Sequence, residues 1–350
     1  MTQNIIRIPQ LRNFSHDEIV EHFQTTVVVD HAESRRVQEK LENAANPQFH
    51  RKLICLVGPT GVGKSVAMRN LAKKRCAADT APFRHRGIFL EAEEPIRGQF
   101  NFGPMALEAL QQMNVPLAER TLPFVSRDAG GESLSTLAIE GFARKPGDDA
   151  LVRRWHRETI ERKTDVICID EAVHCFDIGR AKTQADKTLR LKAQAAKLRT
   201  MSNKWPSAFI LGGAFDFFDM TLVSAQLARR SLVILYEPYH ADQKGIHEFT
   251  LAFCGLIENC PIEVNDDLLD NAIEVFLNSL GCVGIAAGFM NYGISAALRD
   301  AKPLSIAHLR PAYYPKSQLM VMQEEQQEGV QRVKAHLEAG ELAVLSTKTI

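Results

Sequence analysis

Apolar residues along this chain follow two different spacings. Leu53-Ile54-Cys55-Leu56-Val57 is an unbroken apolar run of strand length, the pattern of a strand covered on both faces. Runs of the same kind recur at residues 87–93 (GIFLEAE), 165–170 (DVICID), 207–212 (SAFILG) and 231–236 (SLVILY). Between them the period lengthens to that of helices. Residues 30–43 set Val37 and Leu41 one turn apart among Glu33, Arg35, Arg36, Glu39 and Lys40, and Asn46-Pro47 ends the pattern. Residues 66–74 and 105–113 read as helices, and 180–204 carries Leu189, Leu191, Ala195, Leu198 and Met201 among lysines and arginines before Pro206. Buried strands alternating with helices predict an α/β fold with a mostly parallel sheet flanked by helices.

After residue 240 the strand pattern stops. Helical spacing continues at 245–258, 266–280 and 283–299, predicting a small helical domain. Residues 316–350 read as a polar tail, with Glu324, Glu325, Gln326, Gln327 and Glu328 leading into a helix that runs to Ala339. The first fifty residues are polar outside the 30–43 helix. Residues 114–150 contain Pro116, Pro123, Gly130, Gly131, Pro146 and Gly147 with no sustained period, an irregular excursion of a length that is uncommon inside a compact domain. The expected division is an N-terminal arm and helix at 1–50, a core at 51–240, a helical lid at 241–315 and the tail at 316–350. There is no internal repeat.

Composition narrows the function classes. The 350 residues suit about two domains, and 45% hydrophobic with 24% charged residues is the make-up of a folded globular chain. Forty-two basic residues balance 42 acidic ones, which excludes a histone-like binder or an acidic disordered activator, since both need a field of one sign. A local basic face is still allowed. The seven cysteines form no C-x-x-C pair, so reduced thiols in a cytosolic protein are expected. Neither an export signal nor an apolar run near the ~18 residues of a membrane span is visible.

The chemistry begins directly after the first strand. Gly58-Pro59-Thr60-Gly61-Val62-Gly63-Lys64-Ser65 fits G-x-x-x-x-G-K-[ST], and it stands between an apolar strand and a helix opening near Val66, as the mechanism requires. Glycines let backbone N–H groups wrap phosphate oxygens, the helix N-terminus adds positive potential, Lys64 reaches the β- and γ-phosphates, and Ser65 ligates magnesium. Such a loop needs a carboxylate at the end of a neighbouring strand, and Val166-Ile167-Cys168-Ile169-Asp170-Glu171 supplies one. Asp170 is the expected metal partner, and Glu171 is placed to orient or deprotonate water. His174 and Cys175 lack a second pair at metal-ligand spacing and read as structural, as does Cys168 inside its strand.

In order, the helix DHAESRRVQEKLENA, the loop GPTGVGKS, the strand GIFLEAE with ALEALQQMNVPL, then VICIDEAVH and KLRTMSNKWPSAFILGGAFDF resemble one family. Gln226-Leu227-Ala228-Arg229-Arg230-Ser231-Leu232 completes the likeness. The family is that of the TnsC/TniB-type AAA+ ATPase regulators of DNA transposition, and the resemblance spans about residues 25–310. It implies an AAA+ P-loop NTPase core with a C-terminal helical lid, binding ATP and Mg. It also implies head-to-tail assembly into rings or helical filaments around duplex DNA, linking a target-selector protein to a transposase. On this resemblance Lys64, Ser65, Asp170 and Glu171 are the Walker residues, and Arg229 or Arg230 is the arginine finger that reaches a neighbour's γ-phosphate. Two departures stand out. Gly212-Gly213-Ala214 lies where AAA+ proteins carry a polar sensor, and Val283-Gly284 lies where they carry a second arginine, so slow hydrolysis is expected.

From Arg180 to Lys204 there are eight basic residues and one acidic, Asp186. Lys182, Lys187 and Arg190 are candidates for backbone contacts to duplex DNA with little base readout, as are Arg153 and Arg154 beside Trp155. Trp155 reads equally as a core anchor. A solvated helix face, or an interface to an acidic neighbour, explains the same charges. Two other functions remain open on the sequence alone: a nucleotide-gated scaffold ATPase in signalling or defence without DNA binding, and a P-loop kinase for a small molecule.

Overall fold

The computed structural model describes residues 5–46, 53–78, 81, 83–95, 98–116, 118, 147–177, 183–222 and 228–347, without the side chains of Gln184 and 340–347. The chain divides into two compact units, one of residues 41–56 and 68–233 and the other of 1–40, 57–67 and 234–350.

The first unit is built on a five-stranded parallel sheet of order β2-β3-β4-β1-β5. Its strands are β1 (Leu53–Val57), β2 (Gly87–Glu91), β3 (Val166–Asp170), β4 (Ala208–Gly213) and β5 (Ser231–Leu235). Every residue of β1, β3 and β4 is buried, as their unbroken apolar runs require. Register pairs Glu91 with Asp170 and Ile169 with Leu211, bringing the carboxyl ends of β2, β3 and β4 level. The helices in sequence are α3 (Lys64–Ala77), α4 (Phe102–Gln112), α5 (Asp148–Glu161), α6 (Gln184–Lys204) and α7 (Phe215–Thr221). Helix α5 takes over the end of the stretch expected to be irregular, with Leu151, Trp155 and Thr159 buried at four-residue spacing. Trp155 is fully buried and meets Trp205 edge-on at 4.7 Å, so it is a core anchor. Most of the expected irregular excursion, residues 117 and 119–146, lies outside the described residues.

The second unit is helical: α1 (His16–Thr26), α2 (Ala32–Ala44), α8 (Gln243–Glu258), α9 (Asp267–Asp270), α10 (Ala272–Asn278), α11 (Val283–Asp300), α12 (Ile306–Leu309) and α13 (Lys316–Thr347). Its core joins Ile5, Ile6, Leu11, Ile19 and Phe23 to Phe249, Phe253, Val275, Phe276, Met290 and Ile294. A short antiparallel bridge, Ile6 to Ile262, ties the first residues in place, with Glu263 N donating to Ile5 O at 2.7 Å. Helix α1 starts in a capping box, in which Ser15 N donates to Glu18 Oε2 at 2.7 Å and Glu18 N to Ser15 Oγ at 3.3 Å. The single helix expected at 266–280 is two, because Asn271 leaves helical geometry while its side chain donates to Asp267 O. The tail is largely one helix, α13, which buries Val330 and Val333, donates from Gln326 Nε2 to Leu280 O at 3.1 Å and pairs Lys334 with Glu237 at 2.5 Å.

All seven cysteines are free thiols. Among the described residues no single helix is long and apolar enough to cross a membrane.

Candidate functional site

Val57, the last residue of β1, passes straight into the loop, and α3 begins at Lys64. Gly61 and Gly63 adopt φ of 78° and 114°, where a side chain is strained. Lys64 is nearly buried, and its Nζ donates to the carbonyls of Gly58 at 2.8 Å and Pro59 at 2.9 Å, so the ammonium lies folded over its own loop. Val62 N closes the turn on Pro59 O at 3.4 Å. Thr60 and Val66 are exposed and Ser65 is half-buried at the start of the helix.

The loop rests on two segments that motif reading did not flag. Tyr236 N donates to Val57 O at 2.8 Å, and the Tyr236 phenol faces Gly63. Burial pushes that phenol's pKa up, keeping it neutral. On the other side Gly284 N, in the first turn of α11, donates to Gly61 O at 2.9 Å. A Cβ on Gly284 would lie 2.5 Å from that oxygen, and one on Gly61 would lie 2.5 Å from the Ile285 side chain. No side chain fits at Gly284, which is the physical reason an arginine is missing there. Next to it the buried Cys282 thiol is pushed up to about 12 by desolvation, with Lys64 pulling weakly the other way, so it stays protonated.

Strand β3 ends at Asp170, which is buried and accepts a hydrogen bond from Glu171 N on Oδ1 at 3.1 Å. Glu171 is exposed and takes φ 47°, ψ 41°, a left-handed conformation that costs a non-glycine residue about 1 kcal/mol or more. The chain then turns through a short 3-10 helix, Ala172–Phe176. Beside Asp170, a Cβ on Gly212 would stand 2.3 Å from Met68 Cε and 3.0 Å from Asp170 Oδ1. Met68 Cε is the end of a flexible side chain that can move, so packing does not impose the glycine at this position. Cys168 is a buried core residue whose thiol reaches Met68 O, and His174 is held by Asp177 at 3.1 Å. Among the described residues no group of three or more His, Cys, Asp or Glu is placed to hold a metal.

No family model matches the chain, and no curated protein does. Among solved structures, the Aeropyrum pernix ORC1 protein in complex with DNA matches with a TM-score of 0.53 and 13% identity, over 85% of this chain and 68% of that one. The Aeropyrum pernix ORC2 protein, solved with ADPNP and ADP, matches with a TM-score of 0.52 and 11% identity, over 83% of this chain and 70% of that one. The chain has the AAA+ fold.

Within the AAA+ core unit the two candidate finger arginines differ. Arg230 donates to Asn203 Oδ1 near the end of α6, whereas Arg229 is exposed and makes no hydrogen bond or ion pair among the described residues. Gln226 and Leu227 lie outside the described residues. The basic candidates fall on two helices. On α5, Arg153 and Arg157 are exposed, while Arg154 is half-buried and donates to Pro116 O at 2.8 Å. On α6, Lys187 is exposed and Arg190 pairs with Asp186 at 2.8 Å; Lys182 lies outside the described residues.

In the AAA+ helical unit, a buried polar pair adjoins α2. His31 Nδ1 lies 2.8 Å from Tyr239 Oη, which accepts from Glu33 N at 3.2 Å, and Ser34 N also donates to Nδ1. These bonds make Nδ1 an acceptor, and desolvation lowers the imidazole to about 4. No local sequence signal marks this pair, because its members are 208 positions apart.

Proposed function

We propose that the protein is an Mg-dependent AAA+ ATPase that binds duplex DNA, assembles head to tail and regulates transposition by linking a target selector to a transposase. The observation that carries the nucleotide part is the glycine-built loop with Lys64 folded over it, in a chain of AAA+ fold whose Asp170 is followed by a strained, exposed Glu171. Strain held at a single carboxylate next to a strand end is a common property of active sites.

The loop fits a triphosphate. Its acceptors for Lys64 are neutral carbonyls, so phosphate oxygens can replace them as stronger, charge-assisted partners. Ser65 hydroxyl and Asp170 carboxylate are hard oxygen donors of the kind Mg takes, and the ion would supply charge neutralisation at the phosphates. Gly58, Pro59, Thr60, Gly61, Val62, Gly63 and Val66 would shape the cradle. Glu171 would orient the attacking water. Arg229, which makes no hydrogen bond or ion pair among the described residues, would reach into the neighbouring copy, and Arg230 would hold the end of α6 through Asn203. Gly212 offers no polar side chain beside Asp170, which suits an assembly factor whose nucleotide is cleaved slowly.

For DNA, Lys187 and Arg153 are the exposed candidates, with Lys182, Arg190 and Arg154 completing the basic set. One solved AAA+ neighbour is described as in complex with DNA, which supports this reading. The transposition role rests on the wording and order of DEAVH and QLARR, and a neighbouring gene for an integrase-type transposase would support it further.

The test is sedimentation of the purified chain with ATP, Mg and duplex DNA at low salt. DNA-bound oligomers are expected, lost in Lys64→Ala, retained with slower hydrolysis in Glu171→Gln, and lost in Arg229→Ala with nucleotide binding intact. Monomers alone under these conditions overturn the assembly reading. Oligomers that ignore DNA shift the function to a nucleotide-gated scaffold.

A further inference from the structure

An acidic and apolar stripe on the helical unit has no partner among the described residues. Leu269 at the end of α9 and Ile273 and Leu277, one turn apart on α10, are 48%, 58% and 58% exposed. Asp266 and Asp270 bracket Leu269 along the chain. Both aspartates are exposed and neither makes an ion pair among the described residues, whereas nearby Glu274 is neutralised by Arg310 at 2.9 Å.

Helix α6 of the core unit presents the converse surface. Leu189, Lys192, Ala193, Ala196, Thr200 and Asn203 recur at intervals of three and four residues, which places them on one face, and Lys197 and Lys204 flank it. Leu189 is 69% exposed. Lys192, Lys197 and Lys204 are exposed and without an ion pair among the described residues, and no carboxylate follows Asp186 on this helix. Ala193, Ala196 and Thr200 are small, and a row of small side chains is the kind of groove into which a ridge of larger ones packs.

We infer that the α9–α10 stripe of one copy docks on the α6 face of a second copy. Ile273 and Leu277 would enter the groove over Ala193 and Ala196, while Asp266 and Asp270 meet Lys192 and Lys197. Sign and shape are complementary: uncompensated negative charge beside a protruding apolar ridge, uncompensated positive charge beside a recess. The two surfaces are different patches of the chain, so each copy keeps one free end after docking and the contact propagates head to tail. This deepens the assembly reading above and rests on it. It also divides α6, leaving Arg190, Lys187 and, before the helix, Lys182 for DNA.

The test uses two charge-reversed forms of the full chain, Asp266→Lys with Asp270→Lys and Lys192→Glu with Lys197→Glu, in analytical ultracentrifugation with ATP and Mg and without DNA. All four positions are exposed, and unchanged circular dichroism and nucleotide binding would confirm the fold. Wild type is expected to assemble, each variant alone to associate at least tenfold more weakly, and an equimolar mixture to regain assembly, because only unlike variants then present opposite charges. Ile273→Ala is expected to weaken association as well. Variants that assemble like wild type overturn this interface while head-to-tail assembly stands. Loss in both without recovery in the mixture also overturns it, as does a lysine variant that assembles normally but no longer binds duplex DNA. A wild-type chain that stays monomeric overturns the assembly reading together with the interface.

Discussion

At the scale of residues, contacts between atoms far apart in sequence set what the loop can do. Gly284 and Gly61 touch through backbone alone, so Gly284→Ala is expected to destabilise the fold by about 1–3 kcal/mol through overpacking and to weaken ATP binding. Urea denaturation and nucleotide titration measure the two effects. His31 gives a pH signature. Its native value of about 4 lies below the ordinary 6.5, so between those values the unfolded chain binds a proton that the native state does not. Its contribution is fully present above pH 6.5 and is lost as the pH falls toward 4, by about 3 kcal/mol in total. In His31→Gln, stability measured across pH 4–6.5 should fall less steeply, by about one proton's worth of slope; an unchanged slope would refute the assignment. The two departures from the AAA+ pattern were readable as missing side chains, but the Gly61 carbonyl that leaves no room for a Cβ at Gly284 was not. Periodicity carries no information about which distant atom occupies a given space.

At the scale of elements, legibility followed the length of the apolar pattern. The five strands were read within two residues at either end because burial on both faces leaves unbroken runs, as in LICLV. Helix α5 was not, since only Leu151, Trp155 and Thr159 face inward while Asp148, Asp149, Arg153, Arg154, Arg157 and Glu158 dominate the sequence. It nevertheless hangs on one side chain. Trp155→Ala is expected to cost about 3–5 kcal/mol, seen as a fall in Tm, with Trp205 losing its edge-on partner. Helix α1 was missed for a similar reason, having just Ile19 and Phe23 buried among polar neighbours. Helix α7 is too short for its three phenylalanines to show a period. The backbone of the loop, by contrast, was legible because it is local: consecutive residues, glycines at positive φ, then a helix.

At the scale of the whole molecule, zero net charge conceals an uneven distribution, basic on α6 and acidic on α9. Lys187→Ala and Arg153→Ala are each expected to lower the slope of log K against log salt for duplex DNA by about one, with affinity falling alike on unrelated sequences. A slope that does not move would remove that residue from the DNA surface. The core of the helical unit has a separate consequence, in time. Ile5, Ile6, Ile19 and Phe23 are synthesised well before Phe249, Phe276, Met290 and Ile294, the residues against which they pack. Through most of synthesis these apolar side chains wait without their native partners, and closing so long a loop is slow. A chain released between the two stretches would therefore display a sticky apolar segment, which makes synthesis of the later helices the event that seals this unit.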